Sequence, residues 1–161
     1  KVQCIRPATV CGFSPRMRLD VAVNMLTFQA LKNKEISVNG GNQIRPNIHI
    51  NDLTDAFLHL IENENISSGL YNAGFENLSI KEIAEKIRDK IDSKINIMPL
   101  VDPRSYRLNS DKLVKTGFKN NFSVDHAIDE IIKRYNDKAL IEHDSFYTVK
   151  WMKHLIAEKL L

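Results

Sequence analysis

Ile36-Ser37-Val38-Asn39-Gly40-Gly41-Asn42-Gln43-Ile44-Arg45-Pro46-Asn47-Ile48-His49-Ile50-Asn51-Asp52 is the stretch on which the fold turns. Residues 36–38 read as a brief strand, and residues 39–42 as a turn, because glycine and asparagine take positive φ at little cost. Beyond the turn, Ile44, Ile48 and Ile50 alternate with Arg45, Asn47 and His49, the two-residue period of an extended chain. Pro46 weakens that reading, since it has no N–H to give to a ladder. Asn51 is a fair helix cap, and Leu53, Ala56, Phe57, Leu60 and Ile61 then recur at three- and four-residue spacing, as on an amphipathic helix.

Working outward, residues 2–6 form a short strand candidate that Pro7 ends, and it has no earlier element to pair with. That abrupt start, without methionine, leads us to expect a fragment. Residues 19–31 are apolar on most sides, as in a helix packed all round, with Asn24 as the lone polar interruption. After the central stretch, residues 69–72 make a strand that runs into Ala73 and Gly74. Ser79 and Glu82 then form a capping box ahead of the stripe Ile80, Ile83, Ala84, Ile87 and Ile91. Residues 95–100 read as a strand, and Ser110 as the cap of a short helix ended by Gly117. Ser123 caps another helix, with Val124, Ala127, Ile128, Ile131 and Ile132 inward, and residues 145–161 form a last one carrying the single tryptophan, Trp151. Strands alternating with helices imply an α/β fold of one compact unit over residues 1–161, with too few strands for a complete doubly wound sheet.

The 161 residues are 43% hydrophobic and 27% charged, the balance of an ordinary globular protein. A net charge of +3, evenly spread, does not make a nucleic-acid surface, and every apolar run is broken by charge too soon to cross a bilayer. Cytoplasm is the expected location. Cys4 and Cys11 lack the neighbours of a metal site or a disulfide framework, so both are expected to be buried thiols.

Several chemistries are excluded by what is missing. The six glycines stand at 12, 40, 41, 69, 74 and 117, and no phosphate-cradling fingerprint can be assembled from them. The positions four after Tyr71, Tyr106, Tyr135 and Tyr147 hold Phe75, Ser110, Ala139 and Trp151, so no tyrosine is followed by the lysine that would activate it. No catalytic acid, base or metal ligand is assigned. What remains is a set of arginines beside structure-breaking residues. Arg45 precedes Pro46 on a stiff backbone, where a planar guanidinium suits two phosphate oxygens, or else a surface ion pair with Asp52 or Asp55. Arg104 and Arg107 occupy the loop Asp102-Pro103-Arg104-Ser105-Tyr106-Arg107, where the same two readings compete. Asn24, inside an apolar helix, needs a partner: a buried backbone carbonyl or a ligand. A lone histidine such as His49 is more often structural than catalytic.

These pieces resemble a known family. Arg6-Pro7-Ala8-Thr9-Val10-Cys11-Gly12 with Ser14-Pro15-Arg16 is similar to the segment that follows the catalytic Tyr-x-x-x-Lys helix in NAD-dependent epimerase/dehydratase proteins, which are extended short-chain dehydrogenases/reductases. Residues 36–52, Gly69-Leu70-Tyr71-Asn72-Ala73-Gly74, the helix after Ser79, Arg104-Ser105-Tyr106 and residues 112–118 resemble later family segments in the right order over roughly the first 130 residues. The resemblance implies the carboxy-terminal portion of such a Rossmann-type protein: its last sheet strands and its small mixed substrate-binding domain, without the cofactor-binding half. It implies that Pro7, Ala8 and Thr9 touch NAD or NADP, mainly through backbone. It further implies that Asn24, Arg45 and Arg104 meet the diphosphate of a nucleoside-diphosphate sugar, that Val38 lies where the base is sandwiched, and that Arg16 joins the substrate-binding set. Cys11 and Asn39 replace tyrosines usual in the family, which alters the shape of the substrate site.

The family chemistry is transient hydride transfer to NAD through a keto-sugar, with a tyrosine base and a lysine that are not in this chain; residues 1–161 alone are therefore expected to be inactive. The full-length protein is expected to act on a nucleoside-diphosphate sugar, and a homodimer is one expected assembly. Two other readings compete: a non-catalytic ligand-sensing or protein-docking module of the same fold, and an extended reductase of a non-sugar ketone or alcohol, against which the arginine pair argues mildly.

Overall fold

The computed structural model describes residues 1–99, 102–158 and 160. Seven strands, β1 (Gln3–Pro7), β2 (Thr9–Cys11), β3 (Glu35–Asn39), β4 (Ile44–His49), β5 (Gly69–Ala73), β6 (Glu76–Ser79) and β7 (Lys94–Met98), alternate with six helices among these residues. The helices are α1 (Ala22–Asn33), α2 (Ile50–Glu62), α3 (Ile80–Arg88), α4 (Asp111–Val114), α5 (Val124–Asn136) and α6 (Thr148–Ala157), the last preceded by a single tight turn at Asp144–Phe146. The strands make three small sheets: β1 parallel to β5, β3 parallel to β7, and β4 between a parallel β2 and an antiparallel β6. The fold class is the α/β arrangement expected.

The helical stripes behave as their spacing requires. Ser79 and Glu82 close a reciprocal capping box, and Ile80, Ile83, Ala84 and Ile87 of α3 are buried. Each isoleucine buried in this way contributes about 1.5–3 kcal/mol. They pack with Val23, Leu26 and Ala30 of α1, Ile36 and Val38 of β3, and Val124, Ala127 and Ile128 of α5 in the largest apolar cluster. Ser123 caps α5 in the same way, with His126 as its reciprocal partner.

Several expectations are corrected. Cys11 is buried, and that burial pushes its thiol up to about 12, but Cys4 is exposed on β1. The N-cap of α2 is His49, whose Nδ1 accepts the Asn51 N–H, rather than Asn51 itself; a ring nitrogen placed two residues earlier reaches the orphan donor. Phe57 and Ile61 of α2 are exposed, while Asp52, Ala56 and Leu60 turn inward. The side chain of Ser110 does not cap α4; its hydroxyl donates to the Gly74 carbonyl and accepts from the Gly74 N–H. Pro46 lies inside β4, at a level where only β6 flanks the strand, because β2 pairs only with Asn47, Ile48 and His49. The expected ends of β7 and of the last helix fall on residues 100 and 161, outside the described residues.

The chain changes sheets twice at neighbouring points, and this positions the site. Between β1 and β2 it passes through Ala8, whose N–H donates to the Ala73 carbonyl at 2.8 Å. Between β5 and β6 it passes through Gly74, where an added Cβ would stand 2.6 Å from that of Ala8. Only glycine permits two backbones to approach so closely. A cleft opens beside this crossing.

Candidate nucleotide-binding site

Pro7, Ala8 and Thr9 form one wall of a cleft of about 640 Å³ that also includes Gly12, Arg16, Arg18, Asn24 and Tyr106. A second cleft of about 370 Å³ is lined by Ser37, Asn39, Gln43, Arg45, Asp102 and Arg104. Thr9, Val21 and Tyr106 line both, so the two adjoin. Arg45 and Arg104 therefore occupy a compartment that neighbours the one holding Asn24, Arg16 and Arg18.

Arg45 is nearly enclosed, with only 12% of its side chain exposed. Its guanidinium donates to the Ile44 carbonyl at 3.0 Å, to the Arg104 carbonyl, and to Asp102 Oδ2 at 2.7 Å. Neither Asp52 nor Asp55 is its partner. Arg104 reaches the same carboxylate through Nε to Oδ1 and Nη2 to Oδ2, both 2.9 Å, and its own N–H donates to Oδ1 at 3.0 Å. These hydrogen bonds from Arg104, helped by the charge of Arg45, hold the Asp102 carboxyl at about 2. Ser105 adds a hydroxyl that accepts the Ile44 N–H, docking the loop on β4. Sequence reading missed Asp102, Gln43 and Ser37 as lining residues, while Asn39, singled out as a departure from the family, does line the second cleft. The signal for Asp102 was available: a carboxylate two residues before an arginine, with a proline between them, turns back on that arginine.

Asn24 is 2% exposed, and its amide is engaged by backbone on every side. Its Oδ1 accepts the Gly12 N–H at 3.0 Å, and its Nδ2 donates to the carbonyls of Arg18 at 3.0 Å and Gly12 at 3.3 Å. The buried-carbonyl reading describes this environment, and Asn24 organises the 12–18 loop that borders the first cleft. Gly12 has φ 103°, and a Cβ there would meet His49 Nε2 at 2.8 Å. Val38 is wholly enclosed in the apolar core, lining neither cleft, whereas its neighbours Ser37 and Asn39 face the second. Arg16 is exposed on the first cleft and makes no ion pair among the described residues; Arg18 pairs with Asp20 at 2.9 Å.

His49 lines neither of these clefts. Buried, it stacks on Phe122 with ring centroids 4.7 Å apart, and its Nε2 lies 3.4 Å from Glu130, beside a separate cavity of about 340 Å³. Burial lowers its pKa, against the opposing pull of Glu130 and Asp52. Below about pH 6.5 the unfolded chain takes up a proton that the folded one resists, so stability should fall as pH drops from 6.5 to the depressed folded value, then level off. Urea unfolding of the wild type and of His49→Asn between pH 7.5 and 5 checks this: the variant should lose that portion of the slope, and an unchanged slope would assign it elsewhere.

Among the described residues, no group of three histidine, cysteine or acidic side chains is gathered to hold a metal ion, and no helix is long and apolar enough to cross a membrane.

No protein-family model matches the sequence. Anthocyanidin reductase from Arabidopsis thaliana is 28% identical over 151 residues, which cover 84% of this chain and 42% of that protein. The structure of UDP-glucuronic acid 4-epimerase from Bacillus cereus, in complex with UDP-glucuronic acid and NAD, superposes with a TM-score of 0.69 at 22% identity, over 83% of this chain and 45% of its own. UDP-glucose 4-epimerase from Thermotoga maritima, solved with UDP-glucose, gives 0.71 at 19% identity, over 86% and 47%. The chain thus spans somewhat under half the length of the proteins it matches. Its fold is that of the carboxy-terminal half of the Rossmann-type epimerases on which it superposes.

Proposed function

We propose that residues 1–161 are the nucleotide-sugar-binding part, folded as one unit, of an NAD-dependent epimerase or dehydratase. The observation that carries this reading is the convergence of Arg45 and Arg104 on one anion, the Asp102 carboxylate, in a cleft that adjoins the Pro7–Thr9 wall. Two guanidinium groups held within reach of the same carboxylate oxygen can grip a diphosphate, whose oxygens carry more charge and stand in the same planar relation to the donors. Ser37 and Asn39 offer hydrogen bonds for a nucleoside along the second cleft, while the Gln43 amide braces the 39–41 turn. On this reading Arg16, which lines the first cleft, meets a sugar or its carboxylate.

NAD, when bound, would supply a hydride acceptor that returns the hydride to a keto-sugar. The fit of this chain to that group is partial and local: Pro7 has no N–H, Ala8 is buried against Gly74, and Thr9 is half-buried, so the segment offers a flat backbone wall rather than a phosphate cradle. In this reading Asn24 is a positioning residue, tying down the loop opposite that wall. The tyrosine base and lysine of such enzymes have no counterpart among residues 1–161, and on this reading these residues alone carry out no turnover.

Calorimetric titration with UDP tests the reading. Saturable binding is expected, and Arg45→Gln should weaken it about ten- to a hundredfold, the worth of one lost charge-assisted hydrogen-bonding group. An affinity indifferent to Arg45 would overturn it. A second reading, an extended reductase of a non-sugar ketone or alcohol, draws on the likeness to anthocyanidin reductase. It predicts no UDP binding at all, with Arg45 and Arg104 serving only to fasten the Asp102 loop.

A further inference from the structure

The saturation of Asp102 has a direct consequence for any anion that enters the second cleft. Both oxygens of this carboxylate accept from guanidinium groups, Oδ2 from Arg45 at 2.7 Å and from Arg104 at 2.9 Å, and Oδ1 from Arg104 Nε at 2.9 Å. The Arg104 side chain is 77% exposed, and among the described residues Asp102 alone holds its guanidinium, whereas Arg45 is also fastened by the carbonyls of Ile44 and Arg104. The Asp102 side chain itself is only 16% exposed and lies between the two cations. It takes the donor edge of Arg104 with the side-on, two-point geometry that a phosphate oxygen pair would use. The cluster of two arginines and one carboxylate carries a net single positive charge, against two without the carboxylate.

We propose that Asp102 is an internal stand-in for the ligand's phosphate: it holds Arg104 in the free site, must release it for a diphosphate to bind, and so sets a threshold that a weaker anion does not cross. The inference rests on the nucleotide-binding reading above and adds a specificity-determining residue to it. A single phosphate, with fewer oxygens to engage both arginines, gains too little to replace the carboxylate. A diphosphate engages Arg45 and Arg104 at once and does replace it. Removing the carboxylate charge should therefore raise affinity for every phosphate ligand and narrow the preference for two linked phosphates over one. Hydrogen bonds from Arg104 hold the carboxyl at about 2, so the stand-in is charged throughout the range in which binding is measured.

The test is calorimetric titration of the whole chain and of Asp102→Asn with UDP, UMP and inorganic pyrophosphate. The variant is expected to bind UDP and pyrophosphate about tenfold more tightly and to gain more for UMP, since the lost repulsion and freed donors act on any phosphate. If the wild type binds UDP and Asp102→Asn binds it no better or worse, Asp102 is a brace that preorganises the arginines; the stand-in role is overturned while the nucleotide-binding reading survives. If neither protein binds UDP or pyrophosphate, both fall. If Asp102→Asn fails to fold, the wild type decides the question: the carboxyl carbon resonance of Asp102 should move on saturation with UDP, and a resonance that stays in place overturns the exchange.

Discussion

Asn24→Leu is expected to lower the free energy of unfolding by about 3 kcal/mol, a large share of the stability of a domain of this size. Leucine matches asparagine in shape, so the change isolates the loss of hydrogen bonds from the loss of packing. Three bonds disappear: the one accepted from the Gly12 N–H and the two donated to the Gly12 and Arg18 carbonyls. The Gly12 N–H is left inside without a partner, and an orphaned donor costs about 1–3 kcal/mol by itself. Asn24→Asp should not rescue stability, because a carboxylate keeps the acceptor for Gly12 but faces two carbonyl oxygens. Urea denaturation of the three proteins measures the differences. A loss below about 1 kcal/mol for Asn24→Leu would mean that water replaces the amide and that the 12–18 loop is held by other means.

Asp52→Ala should cost about as much, roughly 3 kcal/mol, and for a related reason. This carboxylate is 1% exposed in the first turn of α2 and accepts the N–H groups of Asn121 at 2.8 Å and Phe122 at 3.1 Å, sewing the segment before α5 onto α2. Charge-assisted bonds of this kind contribute about 1.5–3 kcal/mol each, and a negative group near a helix amino terminus adds to them. Asp52→Asn keeps one acceptor oxygen and should recover part of the loss, so the order of stability is wild type, asparagine, alanine. Because Phe122 stacks on His49, the alanine variant should also loosen that ring pair, which appears as exchange broadening of the His49 ring signals. Equal stability of the alanine and asparagine variants would show that the oxygen of the amide cannot reach either donor.

The elements that could be read along the chain share one property: their evidence lies within a turn or two of the residue concerned. The α3 stripe and its capping box, the α5 cap at Ser123 and the glycine turn at Gly40 and Gly41 all occur as their spacing requires. Strands β2 and β6 escaped notice because three or four residues make too short a run for alternation to register, and because β4, which they flank, is buried through Pro46, Asn47, Ile48 and His49 instead of alternating. The candidate site was legible as a set of residue types, in that Arg45 and Arg104 were marked by the stiff backbone beside them. Their relation to each other was not.

The sequence by itself determined the α/β class, the inward faces of α3 and α5 and the identity of the two cationic side chains, since local periodicity and backbone chemistry are properties of neighbours along the chain. Only the tertiary structure decided that Arg45 meets Asp102, 57 residues away, that Asn24 spends its amide on Gly12 and Arg18, and that Ala8 touches Gly74 where two strands change sheets. Such contacts join single side chains or bare backbone across long stretches of chain, and nothing in the spacing of residues records which distant partner a buried charge or amide will find.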